Sequence, residues 1–189
     1  MAILISEIID LVKRNEIYTA LQQCQQLVAE TPADANAQHL LGMIYLRSGN
    51  FAAAISHLQE TISLDPNNAE AYNNLASIYY RQGRIALSIP LYEKSIRRYP
   101  GNWEAHYNLG NCYIKKDMVL QAIEQYQAVL TLQPEHNYAK LNLAMALVSI
   151  KNYATALPLL IEAANLDKKN SELQGHLATA YLELGQSEP

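Results

Sequence analysis

Several residue types are scarce in this chain of 189 residues. It has two cysteines, one tryptophan and one phenylalanine, and only 17% of its residues are charged. Cys24 and Cys112 lie in separate apolar segments, so we expect buried thiols in a reducing compartment rather than a disulfide framework. Because 50% of the residues are hydrophobic, the composition also argues against a disordered chain.

An excess of positive charge and a long apolar run are missing as well. Fourteen Lys and Arg stand against eighteen Asp and Glu, a net charge of −4, whereas a nucleic-acid-binding domain usually carries a basic face. No apolar stretch is long enough to span a bilayer. The N-terminal segment has no basic leading region, and Glu7 and Asp10 interrupt it, unlike a secretory signal. We therefore predict a cytoplasmic protein with no nucleic-acid partner and no membrane insertion.

What the sequence does contain is a repeat with a period of 34 residues. A proline recurs at this interval, at Pro32, Pro66, Pro100 and Pro134. A second column holds small residues, namely Ala20, Ala54, Ser88, Ala122 and Ala156. A third column, preceded each time by leucine, consists of Gly42, Ala76, Gly110, Ala144 and Ala178. Columns that keep this register across most of the chain indicate a repeat protein.

Each repeat has the pattern of two helices. Apolar residues recur at helical spacing on both sides of a short turn, such as Ser48-Gly49-Asn50 or the turn at Asp117. Proline then ends the second helix, because it lacks an N–H group and disfavours helix before it. The small column beginning at Gly42 predicts where the two helices of a repeat approach closely.

This arrangement resembles the tetratricopeptide repeat (TPR) family. The residues that carry the resemblance are Leu109-Gly110, Tyr113, Ala122, Tyr126 and Pro134. The resemblance implies an all-α fold, a right-handed superhelical solenoid of antiparallel helix pairs with about five and a half repeats of 34 residues. It implies one solenoid domain over residues 1–189, with repeats at about 1–34, 35–68, 69–102, 103–136, 137–170 and a partial repeat at 171–189.

No motif for catalysis accompanies the repeat. The five histidines show no metal-ligand spacing, the glycines follow the repeat rather than a phosphate loop, and neither cysteine has a base beside it in sequence. We expect a protein that is not an enzyme, with no catalytic residues, no metal and no cofactor.

Each first helix leaves one face outside the core. In the third repeat Glu70, Asn74, Ser77 and Arg81 follow one another at intervals of 4, 3 and 4 residues, which is one continuous helical face. In the family that this chain resembles, first helices line a concave groove that contacts ligand. The predicted peptide-binding groove therefore contains Met43, Arg47, Asn73, Asn74, Ser77, Arg81, Tyr107, Asn108, Asn111, Lys115, Asn142 and Met145.

Two rows of polar residues along this face have alternative interpretations. Asn74, Asn108 and Asn142 either hold the backbone of an extended peptide, since an amide offers both donor and acceptor, or hydrogen-bond between adjacent helices. Lys13, Arg47, Arg81 and Lys115 either contact an acidic partner or stabilise the helix dipole.

The resemblance also allows one specialised binding mode to be tested. TPR modules that clamp the carboxylate tail of chaperones carry basic residues where this chain has Tyr107, Glu172 and His176, so that mode is disfavoured.

The predicted function is that of a protein-protein interaction scaffold, which binds a peptide or partner protein in the groove. The alternative is a non-catalytic, substrate-targeting region of a larger enzyme of the glycosyltransferase or methyltransferase type. Apolar residues on the terminal helices further predict a possible homo-oligomer.

Overall fold

The computed structural model describes residues 5–166 and 170–185. Within these residues the chain forms α-helices in sequential antiparallel pairs and no strand, so the predicted all-α fold of helix pairs is confirmed. The first helices of the pairs are α1 (Ile5–Lys13), α3 (Ala35–Arg47), α5 (Ala69–Arg81), α7 (Trp103–Lys115), α9 (Asn137–Ser149) and α11 (Ser171–Glu183). The second helices are α2 (Ile17–Glu30), α4 (Phe51–Leu64), α6 (Ile85–Arg98), α8 (Val119–Leu132) and α10 (Tyr153–Leu166).

The start of each first helix from α3 onward is fixed by a capping side chain that recurs with the repeat. The residue before the helix accepts a hydrogen bond from a backbone N–H of the first turn, which would otherwise lack a partner. The caps are Asp34, Asn68, Asn102, His136 and Asn170.

The turn that follows each first helix also recurs, with one residue in the left-handed region of the backbone. These residues are Asn15, Gly49, Gly83, Asp117, Lys151 and Gly185. Glycine, asparagine and aspartate accept this conformation readily, whereas Lys151, at φ 61°, does so against its preference.

The small column lies where the two helices of a pair are closest. A Cβ atom added to Gly110 would lie 2.6 Å from Cε1 of Tyr126 on α8, and one added to Gly42 would lie 3.0 Å from Cγ of Leu58 on α4. Ala76 and Ala144 are fully buried in the same column. Ala178 differs, because its side chain on α11 is exposed.

The helices group into two compact units, Met1–Pro100 (unit 1) and Gly101–Pro189 (unit 2). The core of unit 1 includes the fully buried Ile8, Leu58 and Ile78, and that of unit 2 includes the fully buried Val129 and Leu160. The single solenoid domain stays a prediction.

Candidate functional site

The predicted groove residues of unit 1 lie on the first helices α3 and α5. Met43 is 43% exposed, Arg47 and Arg81 are exposed, and Asn74 is half-buried. They line an open depression of about 360 Å³, together with the buried Leu40 and Ile44 and with Val12, Leu46 and Gly49. The helical spacing of the sequence thus places four predicted residues around one concavity.

The two arginines of the depression have no acidic partner among the residues that the structure describes. The Nη2 atom of Arg47 lies 3.4 Å from Oδ1 of Asn15, and the guanidinium of Arg81 lies 5.3 Å from the centre of the Phe51 ring. Within the described residues neither guanidinium forms an ion pair. Their charge and most of their N–H donors are therefore available to a bound anion.

Asn74 bridges two neighbouring first helices. Its amide Nδ2 donates to Nε2 of His39 across 3.1 Å, so this imidazole nitrogen must carry no proton. Burial lowers the pKa of His39, although the Glu70 carboxylate acts in the opposite direction. Asn74 thus forms a hydrogen bond between adjacent helices, which was one of the two interpretations of the asparagine row. Its Oδ1 remains available to another donor.

The remaining predicted residues of α5 are less accessible. Asn73 is only 8% exposed, and the described residues provide no hydrogen-bond partner for its buried Oδ1. Ser77 is half-buried and donates to the backbone carbonyl of Asn74 at 2.8 Å. These two side chains contribute little surface to the depression.

In unit 2 the predicted residues form a hydrogen-bonded network rather than a charged depression. Tyr126 on the second helix α8 donates its hydroxyl to Oδ1 of Asn111 at 2.8 Å. Asn142 on α9 donates its amide to the same oxygen at 3.1 Å and to the Tyr107 hydroxyl at 3.3 Å. The network therefore connects α8, α7 and α9.

Unit 2 also has a smaller concavity beside this network. Asn142 and Met145 line a depression of about 110 Å³ with Leu141, Asn170, Glu172 and Leu173. Asn108 is half-buried and Lys115 is exposed on α7. The structure thus assigns Met145 and Asn142 to a second, separate concavity.

Two features near the predicted face were missed in the sequence. His39 stands one period before Asn73, so the repeat column that identified Asn73 could have identified it. An aromatic cluster surrounds His136, whose ring centre lies 5.1 Å from that of Trp103 and 5.0 Å from that of Tyr107. His136 stands in the capping column, but the aromatic residues do not recur with the period, because one period earlier the chain has Ala69, Asn73 and Asn102 at these positions.

The described residues show no metal site and no reactive thiol at Cys24. They contain no group of three or more His, Cys, Asp or Glu side chains that could hold a metal ion. Burial raises the pKa of the Cys24 thiol to about 12, which keeps it protonated and unreactive. None of the described helices has the length and apolar character needed to cross a membrane.

Comparison with protein families identifies the fold. One model described as tetratricopeptide repeat matches residues 7–69, 39–102 and 119–170, and a second with the same description matches residues 91–124. The chain belongs to the tetratricopeptide repeat family. A search of curated proteins finds no match.

Solved TPR structures have the same fold. The chain is 19% identical to YrrB, described as a TPR protein with an unusual peptide-binding site, with a TM-score of 0.74 over 90% of this chain and 88% of that one. It is 21% identical to MamA, with a TM-score of 0.74 over 87% of this chain and 90% of MamA. For MamA from Desulfovibrio magneticus RS-1 the identity is 19% and the TM-score 0.75, over 87% and 93% of the two chains.

Proposed function

We propose that this TPR protein is a protein-interaction scaffold that binds an extended peptide segment of a partner on the exposed face of its first helices. The observation that carries the proposal is the depression in unit 1. There, side chains from α1, α3 and α5 surround one concavity, and Met43 remains 43% exposed although it is apolar. A concavity lined mainly by apolar side chains, with a few polar groups around it, is the usual form of a binding site.

The hydrogen-bonding groups of unit 2 also suit a peptide backbone. Asn142 uses Nδ2 for both of its contacts, so Oδ1 remains as an acceptor; Asn111 receives both of its contacts at Oδ1, so Nδ2 remains as a donor. A peptide unit needs one acceptor and one donor. The asparagines can therefore take part in the network and contact a ligand backbone.

The peptide ligand is also supported by analogy with YrrB, since its description names a peptide-binding site on a TPR fold. The same surface would serve a substrate-targeting region, in which the bound segment belongs to the substrate of a catalytic region. A cytoplasmic location stays a prediction.

The proposal can be tested with a phage-displayed library of random peptides, selected on the full chain. Three methionines allow matched variants, because Met43 and Met145 lie on the predicted face whereas Met118 precedes the second helix α8 and is 36% exposed. We expect Met43→Asp or Met145→Asp to abolish binding of the selected peptides and Met118→Asp to preserve it.

Circular dichroism should show equal helix content in all three variants. Selected peptides that bind both first-helix variants as tightly as the wild type would contradict the proposal, because their site would then lie elsewhere.

A further inference from the structure

We infer that the depression in unit 1 recognises an acidic segment of a partner protein, with one apolar side chain seated among the aliphatic residues and neighbouring carboxylates on Arg47 and Arg81. This inference rests on the proposed function and adds the chemistry of the partner.

The apolar part of the depression favours a ligand with an apolar side chain. Leu40 and Ile44 are buried and Val12 is half-buried, and these side chains form an apolar floor. Met43 beside them is 43% exposed. The flexible thioether side chain of methionine adapts to different apolar groups. A volume of about 360 Å³ accommodates a single large aliphatic or aromatic side chain.

The two arginines of the depression favour a ligand with carboxylate groups. Both line the concavity, and neither has a carboxylate partner within the described part of the chain. A guanidinium presents its N–H groups in a planar fork that matches a carboxylate. The Phe51 ring beneath Arg81 already restricts this side chain, so it loses less conformational freedom on binding. Two such groups beside an apolar floor complement a segment that is both acidic and apolar.

The surrounding helices add little negative charge to this end of unit 1. Helix α3 contains no acidic residue, and the one acidic residue of α5 is Glu70 in its first turn, far along the helix from Arg81. On α1, the Asp10 carboxylate lies 3.4 Å from Nζ of Lys13 and so is partly neutralised.

A basic residue in the last turn of a helix also stabilises the helix dipole, wherever its side chain points. That role alone does not require Arg47 and Arg81 to line the same concavity. Arg98, in the last turn of the second helix α6, instead donates from Nε to the backbone carbonyl of Pro66 at 3.0 Å. The shared concavity is therefore the observation that favours a ligand.

An acidic protein segment fits better than a nucleic acid. The chain has a net charge of −4, and the depression contains two cations around an apolar floor rather than a broad basic stripe.

The experiment uses the peptides selected from the random library on the full wild-type chain, synthesised with a fluorescent label. Their affinities are measured by anisotropy for the wild type, Arg47→Gln, Arg81→Gln and the matched control Arg97→Gln, which removes the same charge from an exposed site on α6. We expect the peptides that compete for the depression, judged by their loss of binding to Met43→Asp, to be rich in Glu or Asp around one large apolar residue.

Arg47→Gln and Arg81→Gln should each weaken binding of these peptides about tenfold, because each removes a guanidinium that hydrogen-bonds to a carboxylate of the ligand. Arg97→Gln should leave the affinity unchanged. Added salt should weaken binding to the wild type more than binding to the variant that carries both Arg47→Gln and Arg81→Gln.

The outcomes separate the two proposals. Peptides that lose binding to Met43→Asp but are neutral or basic, or that bind Arg47→Gln and Arg81→Gln as tightly as the wild type, would overturn the acidic partner while leaving peptide binding intact. Single-stranded DNA that competes as well as the acidic peptides would overturn it too. Selected peptides that bind both Met43→Asp and Met145→Asp normally would contradict the proposed function itself, and the acidic partner with it.

Discussion

The first helices of unit 1 and those of unit 2 follow the same period, yet the faces that they expose differ in chemistry. In unit 1, arginines and aliphatic side chains surround a depression of about 360 Å³. In unit 2, Tyr107, Asn111 and Asn142 are joined by hydrogen bonds, and two concavities of about 110 and 320 Å³ share Leu141, Asn170 and Leu173. The backbone scaffold therefore repeats, while the chemistry of the exposed face differs between the units.

Equivalent positions of the two units can also make the same contact with different residue types. In unit 1, Gln38 of the first helix contacts His57 of the second, with 2.8 Å between Oε1 and Nδ1. In unit 2, the equivalent contact joins His106 of the first helix to Gln125 of the second, also at 2.8 Å, with the two residue types exchanged. Both units thus have a glutamine and a histidine in contact at these positions, and either helix can carry either residue.

The largest difference between the units is expected at the two glycines of the small column. In Gly110→Ala the new Cβ would meet the ring of Tyr126, which is 1% exposed and held by its hydrogen bond to Asn111. Overpacking of this kind costs about 1–3 kcal/mol. Both substitutions gain about 1 kcal/mol in helix propensity. In Gly42→Ala the neighbour is the Leu58 side chain at 3.0 Å, so this gain offsets more of the strain there.

Urea unfolding of the two variants measures this difference. Equal losses in the free energy of unfolding would show that the rigid tyrosine does not set the spacing of α7 and α8.

Removal of the asparagine side chains gives a second, smaller contrast. Asn142 makes two side-chain hydrogen bonds and Asn74 makes one. At about 0.5–1.5 kcal/mol for each bond, Asn142→Ala should reduce stability about twice as much as Asn74→Ala. Thermal unfolding of both variants provides the measurement, and a larger loss for Asn74→Ala would contradict the network.

Acidification should act on unit 1 through His39. Its pKa is lowered in the folded protein, mainly by burial, so below about pH 6.5 the unfolded chain binds more protons and stability falls as the pH falls. Protonation would also remove the acceptor for the Asn74 amide. We expect His39→Asn to flatten the dependence of the free energy of unfolding on pH between about 7 and 5, and an unchanged slope would contradict this role of His39.

The smallest effect concerns the turn column, in which Gly83 of unit 1 and Lys151 of unit 2 adopt the same left-handed conformation. A side chain other than glycine costs about 1–2 kcal/mol in the left-handed region, and part of this is offset because glycine loses more entropy on folding. Lys151→Gly should therefore raise the free energy of unfolding by up to about 1 kcal/mol. Gly83→Lys should lower the free energy of unfolding. Calorimetry of both variants provides the measurement, and unchanged values would show that the turn tolerates either residue.

Sequence periodicity predicted the parts of the fold that depend on repeated local signals. The proline and small-residue columns placed the helix pairs, and the close contacts at Gly42 and Gly110 lie where the small column indicated. The paired contacts of the candidate site were harder to predict, because they join side chains 31 to 35 residues apart whose types vary between repeats. The cluster at His136 likewise joins rings that are distant in sequence, those of Trp103 and Tyr107.

Binding of a partner at the first-helix face can be followed through the methionine methyl groups. The chain is labelled with ¹³C-methyl methionine and titrated with a selected acidic peptide, while NMR spectra follow Met43 and Met145 on that face and Met118 outside it. We expect the Met43 methyl signal to shift to saturation with the peptide concentration and the Met118 signal to stay constant. A saturating shift of Met118, with Met43 and Met145 unchanged, would contradict binding at this face.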